Sequence, residues 1–229
     1  MENDIAIIKN ALENSKLFEG VPMSQIENVL PYLSVRRKKY KKGDIVILPN
    51  EQIGKIGIVM SGAFDSIHIG VEGEQSLISQ FLPYMALAAD VVATPSTTSP
   101  YLVEAAKEGE VAWIPANTIL EEGFLGEGIR VQVLLNLLMI LSNENVRRLH
   151  KIEILSYKQL RQRIIEFLHM WAKREGSNSY QLPLNREEMA KYLCVNRSAL
   201  SHELSLMRSE GLISFRKNCF KLEKIAYDF

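Results

Sequence analysis

The chain has 229 residues with a formal net charge of zero, and 47% of them are hydrophobic and 24% charged, which is typical of a globular protein with one or two domains. We expect no membrane span and no signal peptide, because the sequence has no run of eighteen apolar residues and no basic leader segment. Its two cysteines lack metal-like spacing, which excludes a cysteine-held iron–sulfur cluster and a disulfide framework and favours the cytoplasm.

Residues 1–33 have the pattern of two short helices. Apolar residues recur at Ile5, Ile8 and Leu12, and again from Ile26 after a break near Gly20. Ser24 is followed three residues later by a glutamate, which predicts a capping box at the start of the second helix.

Residues 34–115 predict a sheet. Short β-rich runs alternate with turn signals at regular spacing, which is typical of a β-roll or β-sandwich. The basic run from Arg36 to Lys42 is interpreted as a solvated edge strand. Turns are expected at Ser61-Gly62 and Glu72-Gly73, and a further pair of strands flanks Lys107–Gly109. The predicted strands between the earlier turns are 45–47, 56–60, 64–69 and 76–81.

Two further segments follow different patterns. The stretch "PYMALAADVVATPSTTSPY" (83–101) predicts a short helix followed by turns. Residues 127–155 predict a long helix that is apolar on more than one side, which requires a second surface to cover it. A partner chain is the simplest such surface, and a central core helix of a monomer is the alternative. The expected dimer contacts follow a near-heptad course: Val131, Leu134, Leu138, Leu141, Asn145, Leu149 and Ile152.

The C-terminal third, from Ser156, carries 13 basic and 8 acidic residues. This excess of positive charge indicates a polyanion partner, although it also lies within ordinary scatter. Ser156 with Gln159 is expected to cap a helix that ends at Gly176.

Residues 185–213 predict a helix-turn-helix. Asn185 and Glu188 have the spacing of a capping box at the start of the first helix. The turn Cys194–Asn196 leads into a second helix, and Cys194 is expected to be a small core residue. "LISFRKNCFKLEKI" (212–225) predicts two strands around Lys217-Asn218, which would form a wing. The expected inward-facing residues are Met189, Ala190, Leu193, Leu200, Leu204 and Met207.

The second helix would present its N-terminal side chains to the major groove of DNA. Arg197 has the bidentate donor geometry suited to guanine or phosphate, and Ala199 could contact a thymine methyl group. A winged helix used for protein contacts is the alternative. The predicted DNA-binding residues are Asn185, Arg186, Asn196, Arg197, Ser198, Ala199, Ser201, His202 and Lys217.

In this order, a β-roll, a long apolar helix and a winged helix-turn-helix resemble the Crp/Fnr family of bacterial transcription regulators. "KKGDIVILPNEQIGKIGIVMSGAF" is similar to the family's β-roll opening, and "CVNRSALSHELSLMRSEGLI" to its recognition-helix block. The resemblance implies an α+β fold with a jelly-roll-like double-stranded β-roll sensor domain (1–126), a dimerisation helix (127–155) and a winged helix-turn-helix (156–229).

The resemblance also implies partners and roles. It implies a homodimer on double-stranded DNA that contacts RNA polymerase. Arg197 stands where the family has a DNA-contacting arginine. Ser198 and His202 stand where many members carry an acidic residue and a second arginine, so the operator sequence is left open.

Cyclic-nucleotide-binding members clamp their ligand with a Gly-Glu pair and an Arg-Ser pair. Here Ala86-Leu87 and Ser99-Pro100 occupy these places, and no Lys or Arg occurs between Lys55 and Lys107. A buried phosphodiester needs a cationic or dipolar partner, so we expect the protein not to bind cyclic AMP in the usual way. An unknown, apolar or weakly polar effector could instead lie near Phe81, Tyr84, Met85, Leu87 and Tyr101.

The sequence leaves other signals and functions open. A haem could be held by His68 or His150, and a redox signal could act through Cys194 or Cys219, but we expect no cofactor and no metal site. The β-roll could instead be a structural dimerisation module on a constitutive DNA binder. An enzyme with a cupin-like metal site needs several converging histidines. Because His68 is the one histidine between residues 34 and 115, we expect no enzyme.

Overall fold

The computed structural model describes residues 2–223, which form two compact units. The first holds the residues up to Ile69 together with Ile78–Val146, and the second holds Gly70–Leu77 together with the residues from Arg147 onward. The predicted domain boundaries after residues 126 and 155 stay predictions. Residues 224–229 of the predicted third segment, with the end of the predicted wing at Ile225, lie outside the described residues.

One long helix separates two groups of elements along the chain. The N-terminal elements are α1 (Glu2–Asn14), a 3₁₀ turn (Lys16–Phe18), α2 (Met23–Val29), β1 (Arg36–Tyr40), β2 (Ile45–Ile47), β3 (Lys55–Ile69), β4 (Gln75–Phe81), β5 (Ala86–Leu87), α3 (Ala89–Val92), β6 (Leu102–Pro115) and α4 (Asn117–Leu120). The long helix is α5 (Glu127–Ser156). The C-terminal elements are α6 (Leu160–Glu175), β7 (Ser179–Gln181), α7 (Arg186–Tyr192), α8 (Arg197–Ser209), β8 (Ile213–Arg216) and β9 (Cys219–Leu222).

The two N-terminal helices pack on the sheet through an apolar face. Leu12 and Ile26 are fully buried, as the periodicity predicted for these positions, whereas Ile5 is exposed. The predicted capping box at Ser24 is wrong, since α2 begins at Met23 with Pro22 as its N-cap and no side chain caps it. A proline at this position presets the backbone angle of a helix start without a side-chain hydrogen bond.

The predicted N-terminal β-roll is confirmed as an antiparallel sheet in the order β1-β6-β3-β4, with β2 also paired to β6 and β5 to β3. Its buried face forms the core of the first unit together with the N-terminal helices. The edge strand predicted from the basic run is confirmed as β1. Arg37 forms an ion pair with Glu110, which lowers the pKa of that carboxyl group.

Two predicted turns in the sheet are wrong. The expected turn at Ser61-Gly62 lies inside the single strand β3, and the expected break at Lys107–Gly109 lies inside β6. The two strands pair along their length with irregular register near Ser61. A Cβ atom on Gly62 would lie 2.5 Å from the carbonyl oxygen of Glu108, so this glycine allows the two backbones to approach at a bulge.

The second unit contains the predicted winged helix-turn-helix, with β7, β9 and β8 forming a three-stranded antiparallel sheet. The end of α6 at Gly176 is confirmed, and this glycine has a left-handed φ of 63°. The expected cap by Ser156 is wrong, because that residue ends α5 and the N-cap of α6 is Gln159, which makes no side-chain capping bond. All six residues of the helix-turn-helix that were expected to face inward are buried.

Candidate nucleic-acid interface

The first helix of the motif, α7, begins with the predicted capping box. The Asn185 side chain accepts hydrogen bonds from the backbone N–H groups of Glu187 (2.8 Å) and Glu188 (3.0 Å). The Glu188 carboxylate accepts in return from the Asn185 N–H (2.6 Å). This reciprocal pair satisfies three backbone donors and sets where α7 starts.

The turn between α7 and α8 depends on a residue with left-handed backbone geometry. Cys194 has a φ of 54° and an exposed thiol, so the expectation that it is a core residue is wrong. Val195 continues the turn by donating its N–H to the carbonyl oxygen of Ala190 (3.1 Å). Non-glycine residues rarely adopt this conformation, because Cβ then crowds a carbonyl oxygen.

The recognition helix α8 starts at a second asparagine cap. The side-chain oxygen of Asn196 accepts from the Ala199 N–H (2.8 Å) and from the Ser198 hydroxyl (2.9 Å). Asn196 therefore positions the helix, and Ser198 keeps its oxygen lone pairs available to an outside donor.

The buried seam of α8 determines which side chains remain outside. Leu200, Leu204 and Met207 have no solvent exposure and pack into the core of the second unit. Arg197, at the first position of α8, and His202, on the face opposite this seam, are exposed. Among the remaining predicted contacts, Ser198 is exposed, and Ala199 and Ser201 are half-buried.

The wing places a further cation beside this helix. Lys217 is exposed at the turn between β8 and β9, with a left-handed φ of 56°. Asn218 anchors the turn by donating its side-chain N–H to the carbonyl oxygen of Leu182 (2.7 Å). Its own carbonyl oxygen accepts from the Leu182 N–H (2.9 Å).

Arg186 is the predicted contact residue whose position differs most from the others. Its guanidinium group is half-buried over the rings of Phe215 (5.0 Å) and Phe220 (5.2 Å) and donates to the carbonyl oxygen of Lys217 (3.2 Å). Burial lowers the pKa of Arg186, and the positive charge of nearby Arg197 lowers it further. The guanidinium group of Arg186 therefore contacts the protein itself and is only partly exposed to solvent.

These elements enclose a cleft of about 580 Å³ between the starts of α7 and α8 and the wing turn. Three cationic side chains and one carboxylate border it, so the cleft is suited to an anionic group. The cleft is lined by Leu184, Asn185, Arg186, Glu187, Met189, Arg197, Lys217, Asn218 and Phe220.

Two ion pairs that sequence reasoning missed connect α8 and the residue after it to α6. Arg161 on α6 donates two hydrogen bonds to Glu210 (2.6 and 2.9 Å) and one to Glu203 (2.6 Å). The bonds to Glu210, and then those to Glu203, raise the pKa of Arg161. The spacing of the two glutamates, seven residues apart on one helix face, was the signal that could have indicated a shared partner.

The residues expected around an effector pocket lie in the first unit. Phe81, Leu87 and Tyr101 are buried members of its hydrophobic core, and Met85 packs against that core. The Tyr101 hydroxyl donates to Asp90 (2.6 Å), while Tyr84 is partly exposed. With the exception of Tyr84, their side chains therefore contribute to the packing of the core.

The expected dimer contacts on α5 differ in exposure. Leu138, Leu149 and Ile152 are 57%, 56% and 65% exposed, and Val131 and Asn145 are also exposed. Leu134 and Leu141 are instead half-buried against the core of the first unit. The exposed apolar face includes Leu135, Met139 and Val146, which the predicted row omitted.

The residues considered for a redox signal or a metal are at the surface or apart from one another. Both cysteines are free and exposed, and His150 lies 3.6 Å from Glu153. Within residues 2–223, no cluster of three or more His, Cys, Asp or Glu residues is placed to hold a metal ion. No helix in the same range is both long and apolar enough to span a bilayer.

Residues 162–226 match the family of Crp-like helix-turn-helix domains. The chain is 22% identical to an anaerobic regulatory protein of Haemophilus influenzae over 197 residues, which cover 84% of this chain and 73% of that protein. It is also 22% identical to electron transport regulator A of Shewanella oneidensis over 199 residues, covering 85% and 76%.

Solved structures share the fold. The c-di-GMP responsive global regulator CLP of Xanthomonas campestris superposes with a TM-score of 0.70 at 19% identity, covering 88% of this chain and 99% of that chain. FixK2 of Bradyrhizobium japonicum superposes with a TM-score of 0.66 at 20% identity, covering 84% and 94%. The order of β-sheet, long helix and helix-turn-helix is the same arrangement that the sequence predicted.

Proposed function

Since this chain belongs to the Crp/Fnr family of DNA-binding transcription regulators, we propose that it binds a near-palindromic operator as a homodimer. We further propose that a small effector other than cyclic AMP controls this binding. The observation that carries the DNA-binding proposal is the exposed N-terminal half of α8, with Arg197 at its first position, His202 one turn further on, and Lys217 on the adjacent wing. We place its action in the cytoplasm, with RNA polymerase as a further partner, by analogy with the family.

Each exposed group has a role in this proposal. Arg197 would donate two parallel hydrogen bonds to a guanine or a phosphate, and Lys217 would neutralise a phosphate. Ser198 would accept from a base or act through water, because its proton is already donated to Asn196. His202 would reach a base edge one turn further along α8. Asn185 and Asn196 would chiefly set the helix starts.

Dimerisation would use the exposed face of α5. Val131, Leu135, Leu138, Leu149 and Ile152 are each about half exposed or more. The steps from Val131 to Leu135, from Leu135 to Leu138 and from Leu149 to Ile152 are the four- and three-residue spacings of a two-stranded coiled coil. Such a dimer would present its two recognition helices to successive major grooves, about 34 Å apart, so the operator would have matching half-sites.

Packing in the first unit supports an effector without a phosphodiester. Leu87, at the place of the family's ribose-binding acid, is fully buried. Ser99 is also buried, and its hydroxyl donates to the carbonyl oxygen of Tyr101 (2.7 Å). With no Lys or Arg in the sequence between Lys55 and Lys107, an uncharged or weakly polar ligand fits this region better than a cyclic nucleotide.

The same packing supports a second candidate function, a constitutive DNA binder whose β-roll is structural. Phe81, Leu87 and Tyr101 already fill the core with their own side chains. In that case the DNA affinity of the purified protein would not depend on any added small molecule.

The test is selection from random duplex DNA by the purified chain, with and without a small-molecule extract of the source cells. A palindromic motif without extract supports the constitutive function, and a motif with extract supports effector control. Recovery of no motif under either condition would contradict the DNA-binding proposal. Arg197→Ala should reduce the enrichment of the motif, while Arg174→Ala on α6 provides the control for loss of one positive charge.

A further inference from the structure

The contacts of Arg186 differ from those of a DNA-contacting arginine. Its guanidinium group lies over two aromatic rings of the wing, and it donates to the backbone carbonyl oxygen of Lys217 at 3.2 Å. It also lies 3.6 Å from the sulfur of Met189. A guanidinium group has five N–H donors in one plane, so these contacts fix both its position and its orientation.

The bond to Lys217 connects the start of α7 to the tip of the wing. The wing turn has left-handed geometry at Lys217, and its backbone carbonyl accepts from Arg186. Phe215 and Phe220 stack with their centroids 5.5 Å apart and support the same guanidinium group. Arg186 is therefore placed to set how far the Lys217 side chain stands from Arg197, across the cleft they both line.

We infer that Arg186 is a positioning residue, which holds the wing so that Lys217 and Arg197 can bind DNA together, and that it is not itself a phosphate contact. The inference rests on the proposed DNA-binding function and changes the role that the sequence suggested for this arginine. It assigns the electrostatic contribution of the wing to Lys217 and the geometry of the wing to Arg186.

The test compares the salt dependence of DNA binding by Arg186→Gln, Lys217→Ala and the double variant, on the duplex that selection recovers. Each lost phosphate contact reduces the slope of log affinity against log salt by about 0.9. We expect Lys217→Ala to lose about one contact, Arg186→Gln to lose the same one, and the double variant to lose no more than Lys217→Ala alone.

Arg208→Gln is the matched control. Arg208 lies 5.0 Å from the centre of the Phe215 ring, the same distance as Arg186. It is exposed at the far end of α8, and we expect its loss to leave the salt slope unchanged. Arg186→Lys is a second variant that conserves the charge. It should show the reduced slope of Arg186→Gln, because an ammonium group cannot stack on the rings and donate from a planar fork.

Three results would overturn the inference. An additive loss of two contacts in the double variant would make Arg186 a phosphate contact itself. An unchanged slope in Arg186→Gln would show that it does not position Lys217. A full slope in Arg186→Lys would show that charge alone is required.

Hydrogen–deuterium exchange without DNA separates this inference from the proposed function. Amides of residues 216–219 should exchange faster in Arg186→Gln than in the wild type, and Arg208→Gln should match the wild type. If selection recovers no duplex, the DNA-binding proposal fails, while faster exchange would still establish that Arg186 holds the wing. Unchanged exchange would overturn the inference whatever the DNA result.

Discussion

The exposed face of α5 leads to a quantitative prediction for Leu138→Ala. Leu138 is 57% exposed, and complete burial of a leucine side chain contributes about 1.5–3 kcal/mol. Covering the exposed part in both copies of a symmetric dimer would therefore contribute roughly 2 kcal/mol, after allowance for the methyl group that alanine retains. We expect Leu138→Ala to raise the dimer dissociation constant by about 30-fold.

Sedimentation equilibrium measures this constant directly, and Leu48→Ala is the matched control. Leu48 is 51% exposed but lies after β2 rather than on α5, so its truncation should leave the dimer unchanged. Equal effects of the two substitutions would refute the assignment of the interface. A wild type that is monomeric at all concentrations would refute the dimer altogether.

Four further substitutions test the second unit. Arg197→Ala should weaken specific DNA binding by about 1–3 kcal/mol in fluorescence anisotropy, and an unchanged affinity for the selected duplex would exclude a base contact. Asn185→Ala should lower the free energy of unfolding by about 1 kcal/mol in urea, because two backbone donors lose their acceptor; no change would mean that water replaces the cap. Cys194→Gly should raise the free energy of unfolding by about 0.5–1 kcal/mol, because glycine adopts the left-handed backbone conformation without strain. As a control, Cys219→Gly in strand β9 should lower the free energy of unfolding. A lower free energy of unfolding in both variants would contradict the strain argument.

Much of the helix-turn-helix could be predicted because its determinants are local. Asn185 and Glu188 form their capping box within one turn, and the buried row of α8 follows the helical period. Local patterns failed where a residue's partner is distant in sequence. Gly62 has the same turn-like signature in a bulge as in a hairpin, and Glu108 in the neighbouring strand decides between them.

The α5 interface illustrates a different limit. Leucine occupies positions 134, 135, 137, 138 and 141, so a heptad row could be drawn through several of them. The core of the first unit packs against Leu134 and Leu141 and leaves Leu135 exposed. Which of the adjacent leucines stay exposed thus depends on where the core of the first unit lies. The helical period of the sequence does not give that position.

The sequence by itself determined the order of sheet, long helix and helix-turn-helix, the buried faces of α7 and α8, and the presence of an arginine at the start of α8. These follow from hydrophobic periodicity and capping over a few residues. Tertiary structure alone decided the role of Arg186, because the aromatic rings and the carbonyl oxygen that hold it lie about thirty residues away in sequence. The sequence does not show whether an arginine side chain extends into solvent or lies over aromatic rings. The packing of the folded chain decides this.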